Sequence, residues 1–510
     1  MSTGTPIRPR EGAPTPENAE AHDTGRSAES NARGAFANKS LSNAQRFLRD
    51  AAEKSADLVH REIIRKGMES YDVAHAKGRT RFAFWEAARQ RCQEIKREAV
   101  NHLDQYLLEF EKNVIAHGGH VFWASTSEEA CQYIADLAVR NSVKTVVKSK
   151  SMVTEEIHLA GALEKVGCTV WETDLGEYIV QLRNEGPYHI VTPAMHLNRQ
   201  QIAELFREKF EEPNLSDDPQ ELVAAARRRL RKAFFAAEMG ISGANFLVAD
   251  AGVIAISTNE GNGRLSTSVP RIHVAVTGIE KVIPKLEDLA TLWPVLATSG
   301  TGQPITTYGT LIGGPRRPGE ADGPEEFHVV LVDNGRSGLL ASKEEREVLH
   351  CIRCGACLNI CPVFRHIGGH SYGTPYPGPI GSVLVPRLEG EKFEHLSYAT
   401  TLCGACTSVC PVKINLHHHL LENRRDFTEA GNTTASQRLE FKLFRTAMTN
   451  PALYKLGGWF MRTSLRLLYA LGLSGSVLDP LREWNRGRAT IPLPKKSFRA
   501  IWKKELDHGE

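Results

Sequence analysis

The chain predicts an α/β protein: an open, largely parallel sheet covered by helices, followed by a smaller helical module built around cysteines. Three observations predict it. Strand-like and helix-like segments alternate from about residue 119, seven of the ten cysteines crowd between Cys351 and Cys410, and the 510 residues are 41% hydrophobic and 24% charged. A chain of that length and composition holds two or three packed domains. Its formal net charge of +3 is slight, so charge gives no warrant for a nucleic-acid or membrane-surface role.

Residues 1–41 are rich in Pro, Gly, Ser, Ala and Glu and lack the apolar segment of a secretory signal, so they read as a disordered arm. From 42 to 118 apolar residues recur at helical spacing, as in Phe82, Trp85 and Ala88, giving a leading helical segment. The α/β domain follows over 119–340. Strands are expected at 120–124, 143–147, 169–172 and 188–192, with helices after Ser125, over 154–166, over 199–210 and over 219–238. Beyond Gly243, the β-rich runs 246–249, 253–257 and 272–276 are separated by turns and read as antiparallel additions to the same sheet, and 327–332 makes a final strand. The cysteine module occupies 341–430 and a helical tail 431–510. The apolar stretch around 456–478 is broken by Arg462 and Arg466, leaving it short of the ~18–20 residues a membrane span needs.

Cys351-Ile-Arg-Cys354-Gly-Ala-Cys357-Leu-Asn-Ile-Cys361-Pro362 is an unbroken C-x2-C-x2-C-x3-C-P run. In such a run three thiolates wrap one iron–sulfur cubane and the fourth ligates its neighbour. Clustered C-x2-C spacing in a long chain points to metal and a reducing, cytoplasmic compartment rather than to disulfides. The second run, Cys403-Gly-Ala-Cys406-Thr-Ser-Val-Cys410-Pro411, lacks its first cysteine, and Thr400 stands there. Cross-ligation then gives one cluster Cys351, Cys354, Cys357 and Cys410, and the other only Cys361, Cys403 and Cys406. The second site is open to three descriptions: a cubane with a non-cysteine ligand, a three-iron cluster, or a more distant ligand such as Cys168 or a histidine. His417, His418 and His419 point to different faces of a helix and read as exposed polar residues.

Ligands of open α/β sheets sit at the carboxyl ends of the strands. Lys148, Ser149, Lys150 and Ser151 make a candidate anion loop, and Thr258-Asn259-Glu260-Gly261-Asn262-Gly263-Arg264 a glycine-rich loop that admits a small polar ligand. Glu172, Asp174 and Glu177 are candidate acid, base or orienting groups. Gly300-Thr301-Gly302-Gln303 lacks the strand–turn–helix context of a dinucleotide site, and no Walker sequence occurs, so no flavin or nicotinamide site is expected. Oxidising an alcohol to a ketone releases two electrons, whereas a cluster passes them singly.

Between about residues 50 and 505 the chain resembles the lactate utilization protein B family. The resemblance rests on the cysteine runs and on Val147-Lys-Ser-Lys-Ser-Met-Val-Thr-Glu-Glu-Ile157, Glu172-Thr-Asp-Leu-Gly-Glu-Tyr178, Thr258-Asn-Glu-Gly-Asn-Gly-Arg264, Asp322-Gly-Pro-Glu-Glu-Phe-His328, Val332-Asp-Asn-Gly-Arg-Ser337 and Arg365-His-Ile-Gly-Gly-His-Ser-Tyr-Gly373. It implies a LUD domain, akin to sugar-phosphate isomerases and CoA transferases, fused to a bacterial-ferredoxin-type module with two [4Fe-4S] clusters on the seven cysteines. It further implies an oxidoreductase component that takes part in oxidising L-lactate to pyruvate, beside a subunit with cysteine-rich repeats and a second LUD-domain subunit. Two other readings stand beside this one: an electron carrier for another 2-hydroxy acid or a heterodisulfide-reductase-like system, and a scaffold whose clusters only support structure. The tail, with Trp459, Phe460, Leu467 and Tyr469 among basic residues, suits packing on the protein or a partner, or peripheral contact with the inner membrane face.

Overall fold

A computed structural model describes residues 41–485 and 492–506. The arm expected before residue 42 lies, but for Leu41, outside them. The chain divides into two compact units, the first running to Arg425 and the second from Asp426 to Glu510.

The first unit opens with four helices, Asn43–Ala56, Leu58–Arg79, Trp85–Asn101 and Leu103–Ala116. The first two start on side-chain caps, Ser42 accepting from the Gln45 amide and Asp57 from the His60 amide, which satisfies N–H groups that a helix start leaves free. Ten strands follow: β1 (His120–Ala124), β2 (Thr145–Lys148), β3 (Thr169–Glu172), β4 (Met239–Ser242), β5 (Phe246–Val248), β6 (Val253–Thr258), β7 (Ile272–Gly278), β8 (Val282–Ile283), β9 (Tyr308–Ile312) and β10 (Glu326–Val332). Six form one wholly parallel sheet in the order β1-β10-β7-β4-β2-β3. Its central strands are apolar on both faces, as a sheet covered on both sides requires: every residue of β7 is buried. The expected α/β class is what the chain adopts.

Three expectations are corrected. The runs at 246–249 and 253–257 are not additions to the main sheet; β5 and β6 pair antiparallel in a separate four-stranded sheet, β8-β5-β6-β9, while 272–276 belongs to the parallel sheet as β7. Residues 188–192 form no strand. Pro187 and Pro193 bracket them, and the His189 ring takes the amides of Val191 and Thr192 that a ladder would need (3.0 and 3.2 Å). The helix expected over 154–166 is two, Met152–Glu156 and Leu159–Lys165, separated at the left-handed His158 (φ 54°).

The core runs through residue 340 without a break. Leu339, Val348, Cys354 and Cys357 share one apolar cluster with Ile64, Tyr188, Phe246 and Leu292, so the cysteine loops are packed into the α/β body. The leading helices grip them as well: Arg89 donates to the carbonyls of Ser408 (3.0 Å) and Cys410 (2.7 Å), and Arg365 pairs with Asp72 at 2.7 Å. In the second unit, helices Ala435–Thr449 and Pro451–Ala470 pack on each other. Among the described residues no helix is long and apolar enough to cross a membrane.

Candidate metal centre and adjoining pocket

The two cysteine runs fold as near copies. In each, a left-handed residue precedes a cysteine and a left-handed glycine follows it: Arg353 (φ 59°) and Gly355 (φ 79°) in the first, Leu402 (φ 55°) and Gly404 (φ 76°) in the second. A five-residue helix then carries the next cysteine, Ala356–Ile360 and Ala405–Val409, before Cys361-Pro362 and Cys410-Pro411. Gly355 has a second reason to be glycine, since a Cβ there would lie 3.0 Å from Val191.

Cys351, Cys354, Cys357 and Cys410 line one small cavity walled by apolar residues such as Ile190, Ile380 and Ile414. None of the ten cysteines is in a disulfide. Backbone amides are aimed at the sulfurs, Arg353 N–H to Cys351 Sγ (3.4 Å) and Ile414 N–H to Cys410 Sγ (3.3 Å). Burial raises the thiols of Cys354, Cys357 and Cys410, the last to about 12, and Cys354 and Cys357 each feel Cys351 and Cys410 as neighbours. Cys361, Cys403 and Cys406 form a second group: burial and Cys361 push Cys406 up to about 11, while the Ala405 amide and Thr401 lower the exposed Cys403. Unpaired thiols converging in a dry cradle, with amides directed at sulfur, are a donor set that fits iron–sulfur clusters, because metal charge offsets the cost of ionising each thiol. Thr400 completes the second turn. Its Oγ1 accepts the Leu402 amide at 3.0 Å, the bond Cys351 Sγ takes from Arg353.

Beside the first cysteine group lies a cavity of about 480 Å³. Parallel pairing puts the carboxyl ends of β2, β3, β4 and β7 on one edge, so the residues after each strand converge: Ser149 and Lys150, Asp174, Asn245 and Lys281. Asn259, Glu260 and Asn262 enter from the loop after β6, and Arg353 and Cys354 form the wall opposite. Of the expected loop residues, Ser149, Lys150, Asp174, Asn259, Glu260 and Asn262 therefore line one space. Lys148, Glu172 and Arg264 do not. Lys148 is buried, held by Glu155 (2.9 Å) and Glu172 (2.8 Å), while Arg264 lies over the Tyr308 ring at 5.6 Å. Burial raises Glu172 to about 7 and Glu177 well above the ordinary range, and the neighbouring carboxyls add to the rise against the pull of Lys148. His419, expected to be exposed, is buried between Glu347 (2.6 Å) and Glu422 (2.7 Å).

Sequence reasoning missed Lys281, Arg353 and Ser257. Lys281 follows a parallel strand whose sequence reads as an antiparallel addition, and Arg353 reads as a spacer within the cysteine run. Burial lowers the Lys281 ammonium to about 8, against the pull of Glu280. Glu280 is held at about 2: burial opposes its charge, but Arg336, Lys281 and Arg353 outweigh burial.

Family models match three successive stretches: the LUD domain over residues 107–332, a 4Fe-4S dicluster domain over 347–414, and the C-terminal region of lactate utilisation protein B over 427–507. A lactate utilization protein B from Shouchella clausii is 45% identical over 88% of this chain and 94% of its own. The chain belongs to the lactate utilization protein B family. Members from Bacillus licheniformis and Bacillus cytotoxicus are each 47% identical, over 82% and 83% of this chain and 88% and 89% of theirs. As a member of that family it is an iron–sulfur protein with a LUD domain, as the resemblance implied. A solved DUF162 family protein from Deinococcus radiodurans aligns with 45% of this chain and 98% of its own at 15% identity, with a TM-score of 0.26, too slight a likeness to add to the fold.

Proposed function

We propose that this chain is the iron–sulfur electron-transfer subunit of a multi-protein complex that oxidises L-lactate to pyruvate. Its partners are a subunit with cysteine-rich repeats and a second LUD-domain subunit, and the basic tail supplies peripheral contact with the inner membrane face. The observation that carries the reading is the adjacency of ligand pocket and thiols: Cys354 is at once a wall of the 480 Å³ cavity and a member of the first cysteine group. Two [4Fe-4S] clusters, when bound, supply one-electron acceptance and delivery. Cys351, Cys354, Cys357 and Cys410 would hold the first, and Cys361, Cys403 and Cys406 the second, with Thr400 at its fourth corner.

The remaining roles belong to the protein's own side chains. The apolar wall of the first cradle excludes water, the amides of Arg353 and Ile414 stabilise charge on sulfur, and Arg89 fixes the carbonyl end of Cys410. The exposed Cys403 puts the second group nearer to solvent and to a partner. Anaerobically purified protein should carry about eight irons, the content of two cubanes. The Cys354→Ser, Cys406→Ser double variant should abolish lactate oxidation by the reconstituted complex; undiminished turnover would sink the reading.

A further inference from the structure

Glu185, His196 and His370 line neither the cysteine cradle nor the large cavity, yet each offers a ligand atom within 4.8 Å of the other two. They come from three separate stretches: the turn after helix Leu175–Leu182, the turn before helix Arg199–Phe210, and the Gly-Gly turn after helix Pro362–Ile367. The glycines are what bring the third stretch in. A Cβ on Gly368 would overlap the Tyr188 hydroxyl and one on Gly369 the Tyr188 carbonyl, so only glycine permits the approach. Tyr188 is itself fixed, its hydroxyl 2.9 Å from His60 Nε2, its ring stacked on His196 at 4.7 Å and edge-on to His370 at 5.1 Å.

Each imidazole spends one nitrogen on the protein and keeps the other. His370 Nε2 donates to the Gly186 carbonyl at 2.8 Å, a second-sphere bond of the kind that orients metal-binding histidines. His196 Nε2 meets Glu185 Oε2 at 2.9 Å, while its Nδ1 is buried without a partner on a side chain only 9% exposed. Arg183 holds the other carboxylate oxygen, Oε1, at 2.7 Å. An ionised carboxylate has about four acceptor positions, so Oε2 retains capacity for a cation beside His196. The other trio of potential ligands, Glu155, Glu172 and Glu177, already surrounds a cation, the Lys148 ammonium. We propose that Glu185, His196 and His370 bind a divalent transition-metal cation of the zinc class, tying the turn beyond the first cysteine run to the α/β domain. Two imidazoles and a carboxylate are donors that suit such an ion better than magnesium or calcium. In a tetrahedral site with bonds of about 2.0–2.1 Å, ligand atoms stand roughly 3.4 Å apart, so closing on the ion takes side-chain movements of about 1.4 Å at most.

Equilibrium dialysis of the anaerobic, iron-loaded full chain against zinc chloride tests this, with zinc and iron counted on the same sample. The parent should retain about one zinc per chain while its iron stays at about eight. His370→Gln and Glu185→Gln should each weaken zinc binding about a hundredfold, since loss of an outer-sphere partner alone reaches that size. His366→Gln, an exposed histidine on the same stretch bonded to the Pro362 carbonyl, should bind as the parent does. A parent that retains no zinc, or two ligand variants that bind as it does, overturns the proposal. So does zinc that enters only as iron leaves, which marks the cysteines as its site, and so does an equal loss in His366→Gln. Should His370→Gln lose its iron, Glu185→Gln decides. Zinc should raise the melting temperature of the parent and leave that of Glu185→Gln unmoved, and equal rises in both overturn the site.

Discussion

Thr400 and Cys351 differ by the atom that matters for iron. Both sit two residues before a left-handed position and both accept the amide of that residue, but one presents a hydroxyl and the other a sulfur. A neutral hydroxyl is a far weaker ligand for iron than a thiolate, so the iron nearest Thr400 should be the first lost. Mild oxidation should take the protein from about eight irons to about seven, with a three-iron EPR signal, while Thr400→Cys keeps all of them under the same treatment. Iron counts that fall equally in both proteins would place the weak point elsewhere. The vacancy was legible in the sequence because the two runs align residue for residue. What the spacing left open was whether the threonine side chain takes the cysteine's place in the turn, which depends on its hydrogen bond to Leu402.

The strands and the turns after them show where local pattern stops being informative. Alternating strand-like and helix-like segments gave away the parallel sheet, and the rule that ligands gather at carboxyl ends found Ser149, Lys150 and Asp174. It missed Lys281 because β7 is preceded by only a seven-residue helix, Asn262–Ser268, and followed by the short 3-10 turn Ile279–Lys281, with no long helix to signal a crossover. It also misjudged Lys148, whose partner Glu172 is on the next strand: the side chain is the buried end of β2, and only tertiary pairing makes a buried lysine tolerable. The burial of this pair has a measurable signature, which Lys148 only partly offsets. Glu172 is raised to about 7, above its unfolded value of ~4.3, so its contribution is fully present below that value and is lost as pH rises through about 7. Lys148→Met leaves the carboxyls without a counter-charge and should cost about 3–5 kcal/mol at pH 8, and clearly less at pH 5, where protonation neutralises them. Urea unfolding at the two pH values checks this, and an equal loss at both would show that the carboxyls are not what Lys148 compensates. The same edge carries Arg336, which has no exposed surface and binds Glu156 at 2.6 Å and Glu280 at 2.8 Å. Arg336→Met should lower the melting temperature by stranding two buried carboxylates.

Across the whole molecule charge is unevenly divided. The second unit, residues 426–510, holds 14 Lys and Arg against 8 Asp and Glu, a net of +6 in a chain whose total is +3, so the rest is net acidic by 3. Within that basic unit, helix Pro451–Ala470 leaves Leu456, Trp459, Phe460 and Leu467 exposed, each by more than half. Exposed aromatic and aliphatic residues interleaved with Lys455, Arg462 and Arg466 have the composition of a helix that lies in a membrane interface, apolar side down and basic side among anionic headgroups. Such a surface would hold the protein at a membrane without a span, and among the described residues no helix is long and apolar enough to cross one. The full chain should therefore sediment with vesicles containing anionic lipid at low salt and release as the salt rises and the Debye length shrinks to a few ångströms. Trp459→Asp combined with Phe460→Asp should abolish sedimentation and leave iron content untouched, because both residues lie outside the unit that holds the cysteines. A chain that stays in the supernatant at every salt concentration would instead assign this apolar surface to a partner subunit.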